Sequence, residues 1–484
     1  MSSHEMQPAK VNSNVNFTQK SHVEVHVKSQ SHVKCKSNWI TTKQNQAKMS
    51  QNKEEDGGNE YFFDLCEAML AADIPLSKLG NDKFALFLSK YTGRKTPHES
   101  TLRKNYVTKV HQKVMQNIRT ELGSTSNLWF SVDESPDDRK KSIIHLIVGK
   151  LDENGPTTAY LVACREIGRC NNETVARFTY DALRNLFQGE KFEERFTLAV
   201  TDAAPYMLLA IKNLQIFFPK LLHVTCLVHL LHNVSQHVID KYRLVNKWIS
   251  LIKKVFVKAP RRIEMFRDMF PNLALPPEPI LIRFGTWLDA AVYHCKNFEK
   301  IKEVLYKFDD EDSVAIKQAK EICEDPDLEL QLISLTSKYS FISPTITSLE
   351  SSKKPLDEAL SQIEEVTQKL EAARDADGIK IAKYFQGRLQ KNPGFNFLKE
   401  MSQIITGNLP ENYVKSAMLS KYTNTDILCM KYAPVHSMDV ERSFSCFKNI
   451  LTDKRHCFTQ DNLEMHVVSY CNLPLLSQYT NESS

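Results

Sequence analysis

The sequence predicts an α/β protein built around a mixed β-sheet, and three observations carry that expectation. Between 127 and 167, three apolar, strand-like runs follow one another with no helical pattern between them. From 172 onward, helical and strand-like patterns alternate. Beyond 247 the pattern is mostly helical.

The three runs are "NLWFSVDES", "KKSIIHLIVGKL" and "TTAYLVACREI", each of strand length and rich in β-branched and aromatic residues. "DENGP", between the second and third, supplies a hairpin turn. "NETVARFTYDALRNLF" has a helical period with Asn171 or Asn172 at its N-cap. "RFTLAV" returns to strand and "PYMLLAIKNLQIFF" to helix. "LLHVTC" is a further short strand, leading into the helix "LVHLLHNVSQHVIDKY". The order βββαβαβα, three antiparallel strands followed by αβ units, is that of a ribonuclease-H-like mixed sheet. An all-helical insertion over 248–430 interrupts it. In that insertion Leu356, Leu360, Ile363, Val366 and Leu370 fall three or four apart and predict one apolar stripe. Near the end, "TQDNLEMHVVSYCN" reads as a helix with Thr459 at its N-cap and Leu463, Val467 and Cys471 on one face. Ahead of the sheet, Phe62, Cys66, Met69 and Leu70 share a helix face, and "TPHESTLRKNYVTKVHQKVMQNIRTEL" reads as one helix starting near Pro97. The chain therefore divides into an arm (1–58), a helical segment (59–126), the sheet core (127–247), the insertion (248–430), a closing segment (431–475) and a tail (476–484).

A chain of 484 residues exceeds one ordinary core, and 42% hydrophobic with 25% charged residues is a soluble globular composition. No apolar run reaches the length of a membrane span, and "MSSHEMQPAK" lacks the apolar core of a secretory signal. Eleven cysteines without a repeating spacing read as reduced thiols of the cytosol or nucleus. Seven lysines against two glutamates in residues 1–52 account for the whole net charge of +5. That polar arm reads as disordered, either a non-specific phosphate-binding tail or a solvated leader.

The stretch "AVTDAAPYM" ends an apolar strand on one acid, Asp202, with no basic residue close by in sequence. A buried charge needs a partner from elsewhere, a cation or water. Asp133 lies near the end of the first strand, and in the expected sheet the first and fourth strands are neighbours. Both carboxylates would then meet at one edge, where convergent acids can hold a pair of Mg²⁺ ions for phosphodiester chemistry. The plainer reading makes Asp202 a turn or cap residue, with Pro205 in the first helical turn. Glu134, Asp137 and Asp138 crowd Asp133, and the pattern does not choose among them.

Four blocks, "AVTDAAPYM", "HVTCLVHLLHNV", "RFGTWLDA" and "SMDVERSFSCFKNILTDKR", resemble in order the hallmark blocks of hAT-superfamily DNA transposases. The resemblance covers most of 127–475, and its last block looks like the family's C-terminal dimerisation segment. Residues 59–110 are similar to part of the CGG triplet repeat-binding protein, a small relative of those transposases. The resemblance implies a catalytic triad of Asp133, Asp202 and Glu441 holding Mg²⁺, DNA as partner, a nuclear location and a homodimer through 435–471. Cys226 and His229 match the family's Cys-x-x-His block. His229, with His232 one step along the helix, is either a positioned histidine near the site or a core histidine. Arg442 is either a phosphate contact or half of an ion pair.

The sequence departs from the family in three places. His26 and His32 resemble the distal half of a zinc finger, but Cys35 is the arm's only cysteine, so no zinc is expected. The family's Arg-Trp pair stands as Arg283-Phe284, with Trp287 either taking the indole's place or lying in the core. The stretch before Glu441 is short beside the insertions of active members. These departures point to a domesticated DNA-binding regulator. A working cut-and-paste enzyme is the alternative, and a protein–protein scaffold that does not touch DNA the third.

Overall fold

A computed structural model describes residues 60–124, 127–137, 140–279, 285–351, 353–452, 455 and 458–481. The chain separates into a small unit, whose described part is essentially 60–106, and a large unit holding 107 onward. In the small unit, helix α1 (60–71) is followed by α2 (Asp82–Thr92) and α3 (Glu99–Asn105). Cys66, Met69, Leu76, Leu79 and Leu102 form its core.

The helix expected from Pro97 to Leu122 is two helices, α3 and α4 (Val107–Leu122), divided at Tyr106. The buried positions run through the break: Leu102, Tyr106, Val110, Val114, Ile118 and Leu122 are spaced by four, so the apolar stripe does not mark it. The expected segment 59–126 is thus split, with α4 in the large unit.

The large unit is α/β with a five-stranded mixed sheet. Its strands are β1 (Asn127–Pro136), β2 (Ser142–Leu151), β3 (Ala159–Ile167), β4 (Phe196–Thr201) and β5 (Leu222–Thr225), in the order β3-β2-β1-β4-β5. The first three are antiparallel, and β4 and β5 run parallel to β1. Between β3 and β4, α5 (Asn172–Leu186) begins in a capping box: Asn171 Oδ1 accepts from the amides of Glu173 and Thr174, and Thr174 Oγ1 accepts from that of Asn171. Helix α6 (Pro205–Leu214) follows β4 and α7 (Leu227–Lys241) follows β5.

Alternation along β1 separates the two sheet faces. Phe130 points into an aromatic cluster with Phe196 and Phe218. Asp133, of opposite parity, sits across from His145 of β2. That face is covered by α19 (Met438–Ile450), the second last helix, whose Phe444 stacks on the His145 ring at 4.2 Å and whose Ser443 Oγ meets His145 Nδ1 at 2.7 Å. The described residues between β5 and α19 are entirely helical, from α8 (Arg243–Phe256) through α9 (Pro260–Met269), α10 (Thr286–Lys296), α11 (Phe298–Leu305), α12 (Val314–Cys323), α13 (Pro326–Tyr339), α14 (Ile342–Leu349), α15 (Leu356–Glu371), α16 (Ala376–Gln390) and α17 (Phe395–Thr406) to α18 (Asn424–Cys429). The predicted stripe Leu356, Leu360, Ile363, Val366 and Leu370 is buried on α15.

An exposed edge strand would be a template for unwanted pairing, and both edges are covered by an asparagine. On β3, Asn472 of the last helix, α20 (Gln460–Asn481), accepts from the amide of Leu161 and donates to its carbonyl. On β5, Asn392 does the same to Thr225, at 3.0 and 2.9 Å. Gly394 makes that approach possible, because a Cβ there would collide with the His223 carbonyl. Thr459 Oγ1 accepts from the Asn462 amide at the start of α20, and Val467 is fully buried. Replacing Asn392 or Asn472 by Ala leaves a buried strand amide and carbonyl unpaired. Each is expected to cost about 2–4 kcal/mol in urea unfolding. A change within about 0.5 kcal/mol, as on the surface, would refute the edge role.

Candidate metal centre

Three parallel strands end at one edge of the sheet, and each delivers a polar residue there. β1 pairs with β4 through Ser131 opposite Val200. Two residues further on, that register sets Asp202 across from Asp133. β5 ends at Thr225, and the next residue, Cys226, donates its amide to the Thr201 carbonyl at 2.7 Å, carrying the ladder to the start of α7. His229 follows within the first turn of α7.

Glu441 reaches this edge from the far end of the chain. The segment before α19 is docked on α7 by three hydrogen bonds. Leu227 donates its amide to the Val435 carbonyl at 2.9 Å, and the Ser437 amide donates to Cys226 Sγ at 3.3 Å. Ser437 Oγ meets His229 Nδ1 at 3.2 Å. Ser437 is the N-cap of α19, yet its hydroxyl makes no bond to its own helix. It is spent on His229 instead, which turns the other ring nitrogen, Nε2, to within 3.5 Å of Glu441 Oε1. One turn into α19, Glu441 thus faces the carboxyl ends of the strands.

The result is a cluster of Asp133, His229 and Glu441 in which one ligand atom from each lies within 4.8 Å of the others. Asp133 is buried, with one oxygen accepting from the Glu134 amide at 2.7 Å. Asp202 stands beside the cluster but outside that 4.8 Å group. Its Oδ1 accepts from the Ala204 amide at 3.2 Å, so it also closes the turn into α6, as the plainer reading had it. Of the other acids near Asp133, Asp137 is buried in its own turn, accepting from the Lys141 amide. Asp138 lies outside the described residues.

Burial pushes the Asp133 carboxyl well above its usual range, and the charges of Asp202 and Glu441 add to that. Burial likewise raises Asp202. Burial alone would depress the His229 imidazole, but the Cys226 thiol, Glu441 and Asp133 outweigh it and hold the ring well above its ordinary value. Burial would raise the Cys226 thiol, yet contacts with His229 and Ser437 bring it below the usual range. These opposite shifts are two sides of one Cys226–His229 contact and largely cancel in protons bound. The acids are not compensated. One imidazolium faces three carboxylates, and two carboxylates with an imidazole at this spacing suit a divalent cation.

The remaining predicted residues lie elsewhere. Cys226 caps α7, accepting from the His229 amide at 3.4 Å as well as from that of Ser437. His232 is not in the cluster, and burial lowers its pKa to about 4. Trp287 is buried and donates Nε1 to Asn246 Oδ1 at 2.9 Å, so its indole is a core group. Arg442 pairs with Asp439 and donates to the Glu350 carbonyl. Arg283, with His26, His32 and Cys35, lies outside the described residues. The functional residue missed in the sequence is Ser437. Its signal was present, a serine one helical turn before Glu441 in "SMDVERSFS".

No protein-family model and no curated protein matches the chain. The chemistry of the cluster therefore carries the functional argument. No helix among the described residues is long and apolar enough to cross a membrane.

A carboxyl whose pKa is raised by folding favours the native state below its ordinary value, about 3.9, and loses that advantage as pH rises. Asp133→Asn removes the penalty. Without divalent cations, the variant and the parent chain should melt together near pH 4. By pH 7 the variant should melt higher by roughly 1–3 °C. Mn²⁺ should stabilise only the parent chain, because bound cation replaces bound proton. Equal melting at pH 7, or equal stabilisation by Mn²⁺, would contradict the site.

Proposed function

We propose that this chain is a DNA-acting protein of hAT transposase descent whose acid cluster supports divalent-metal-dependent cleavage or joining of phosphodiester bonds. One observation carries the reading. Two carboxylates from opposite ends of the chain, Asp133 and Glu441, converge with His229 at the carboxyl edge of the parallel strands. A buried, mutually repelling arrangement of this kind costs stability, which marks functional sites. The sheet order β3-β2-β1-β4-β5, with its antiparallel start, supports the ribonuclease-H-like assignment, which is independent of the four sequence blocks that carry the family resemblance.

In this reading Asp133 and Glu441 hold the cation, and Mg²⁺ is the ion proposed, since it takes one or two carboxylates and keeps its waters. The bound cation supplies the charge that activates a water or 3′-hydroxyl and offsets the leaving oxygen. His229, oriented by Ser437, is either a third donor or the holder of a proton at Nε2. Asp202 adds negative charge while fixing the turn after β4. The reading includes a nuclear location and a homodimer. The inner faces of α19 and α20 are filled by strands β1–β3 and by α4, so a dimer through 435–471 would use their outer faces.

Trp287 favours a second reading. With its indole buried and bonded to Asn246, it is not presented to a DNA base, as expected of a domesticated binder that no longer handles transposon ends.

The test is supercoiled plasmid incubated with the protein and Mn²⁺, run with and without deproteinisation. The enzyme reading predicts nicking by the parent chain and a loss of about 100-fold or more in Asp133→Asn, Asp202→Asn and Glu441→Gln, each still retarding DNA. Retardation by all with nicking by none would replace it with the domesticated binder. No retardation at moderate salt would overturn both.

A further inference from the structure

We propose that Cys446 and Cys471 form a reversible disulfide that fastens α19, the helix carrying Glu441, to α20. The two thiols come from helices that pack against each other, and each is the first cause of the shift in the other's ionisation. Both line a cavity of about 410 Å³ that also holds Asp439, Arg442 and Asn472. A pair that lines one open cavity differs from Cys66 and Cys323. Cys66 and Cys323 are closed in, with burial pushing them up to about 12 and about 11. Cys471 instead brings Cys446 down to about 7, the direction that favours its thiolate.

A small hydroperoxide is the oxidant class that fits the cavity. The Cys446 thiolate attacks one peroxide oxygen, the O–O bond breaks, and the departing alkoxide or hydroxide takes a proton. Cys446 is then a sulfenic acid. The Cys471 sulfur attacks it, the S–S bond forms, the S–O bond breaks, and water leaves with the Cys471 proton. Two thiols lose two electrons and the peroxide gains two. In a reducing compartment such a bond is transient, which suits a switch. Its position gives it a target. Cys446 lies on the helix that aims Glu441, and Cys471 adjoins Asn472, which covers the β3 edge.

The experiment uses the full reduced chain treated with a stoichiometric amount of hydrogen peroxide, then alkylated, digested with trypsin and mapped by mass spectrometry. The proposal expects peptide 443–448 joined to the peptide beginning at His456, with fragment ions placing the bond on Cys471 rather than Cys457. The link should vanish on reduction with dithiothreitol. In the untreated chain, Cys446 should be alkylated at least tenfold faster at pH 7.5 than Cys66 or Cys323. Cys446→Ser and Cys446→Ala should each abolish the link. The mapping of the parent chain stands even if either variant folds poorly. Cys446 linked to Cys457, joined to a second chain or left fully alkylatable would overturn the proposal.

Discussion

The site depends on one docking: residues 435–437 held against the start of α7. The Leu227–Val435 backbone bond, the Ser437 amide on Cys226 Sγ and the Ser437 hydroxyl on His229 together fix where α19 begins. Glu441 lies one turn further on, so its position follows from theirs. The helical insertion can be long because closing a loop costs little more as the loop grows. What matters is that its two ends return to the same sheet edge. Asn392 and Gly394, packed on β5, make one further attachment of the insertion to the sheet.

The same docking sets the electrostatics. Three carboxylates gather with one imidazolium in a region where burial already penalises charge. The Cys226 thiol first, and then Glu441 and Asp133, hold the His229 ring well above its ordinary value. His145, the cross-strand neighbour of Asp133, keeps α19 in place on the same sheet face. It is fully buried and neutral, with burial taking its pKa to about 3, and it clamps α19 through Ser443 and the Phe444 ring. The stacking and the edge-covering asparagines supply stability that the acid cluster removes.

Much of this architecture was legible in the sequence because it rests on local period. The runs that became β1–β5 show strand patterning, and their succession implied the order in which they pair. Asp133 and Asp202 could be placed at one edge from that order alone. Glu441 could not. Nothing in spacing links it to strands so far upstream, and only the family resemblance singled it out. The split at Tyr106 was hidden because Leu102, Tyr106 and Val110 keep the four-residue spacing of a single helix across it. Composition offered two roles for His229 and for Trp287, core or functional. Tertiary contacts drew His229 to the acids and sent Trp287 inward, towards Asn246. Asp202 shows that such alternatives need not exclude each other, since it closes a turn and also charges the site.

The central claim is that Asp133, His229 and Glu441 form one cation-binding centre. The most direct measurement is anomalous diffraction from crystals of the full chain soaked in Mn²⁺. One manganese peak at roughly 2.0–2.3 Å from a carboxylate oxygen of Asp133 and one of Glu441 is the predicted result. A peak bound elsewhere, or none at millimolar Mn²⁺ with the three side chains ordered, would contradict it.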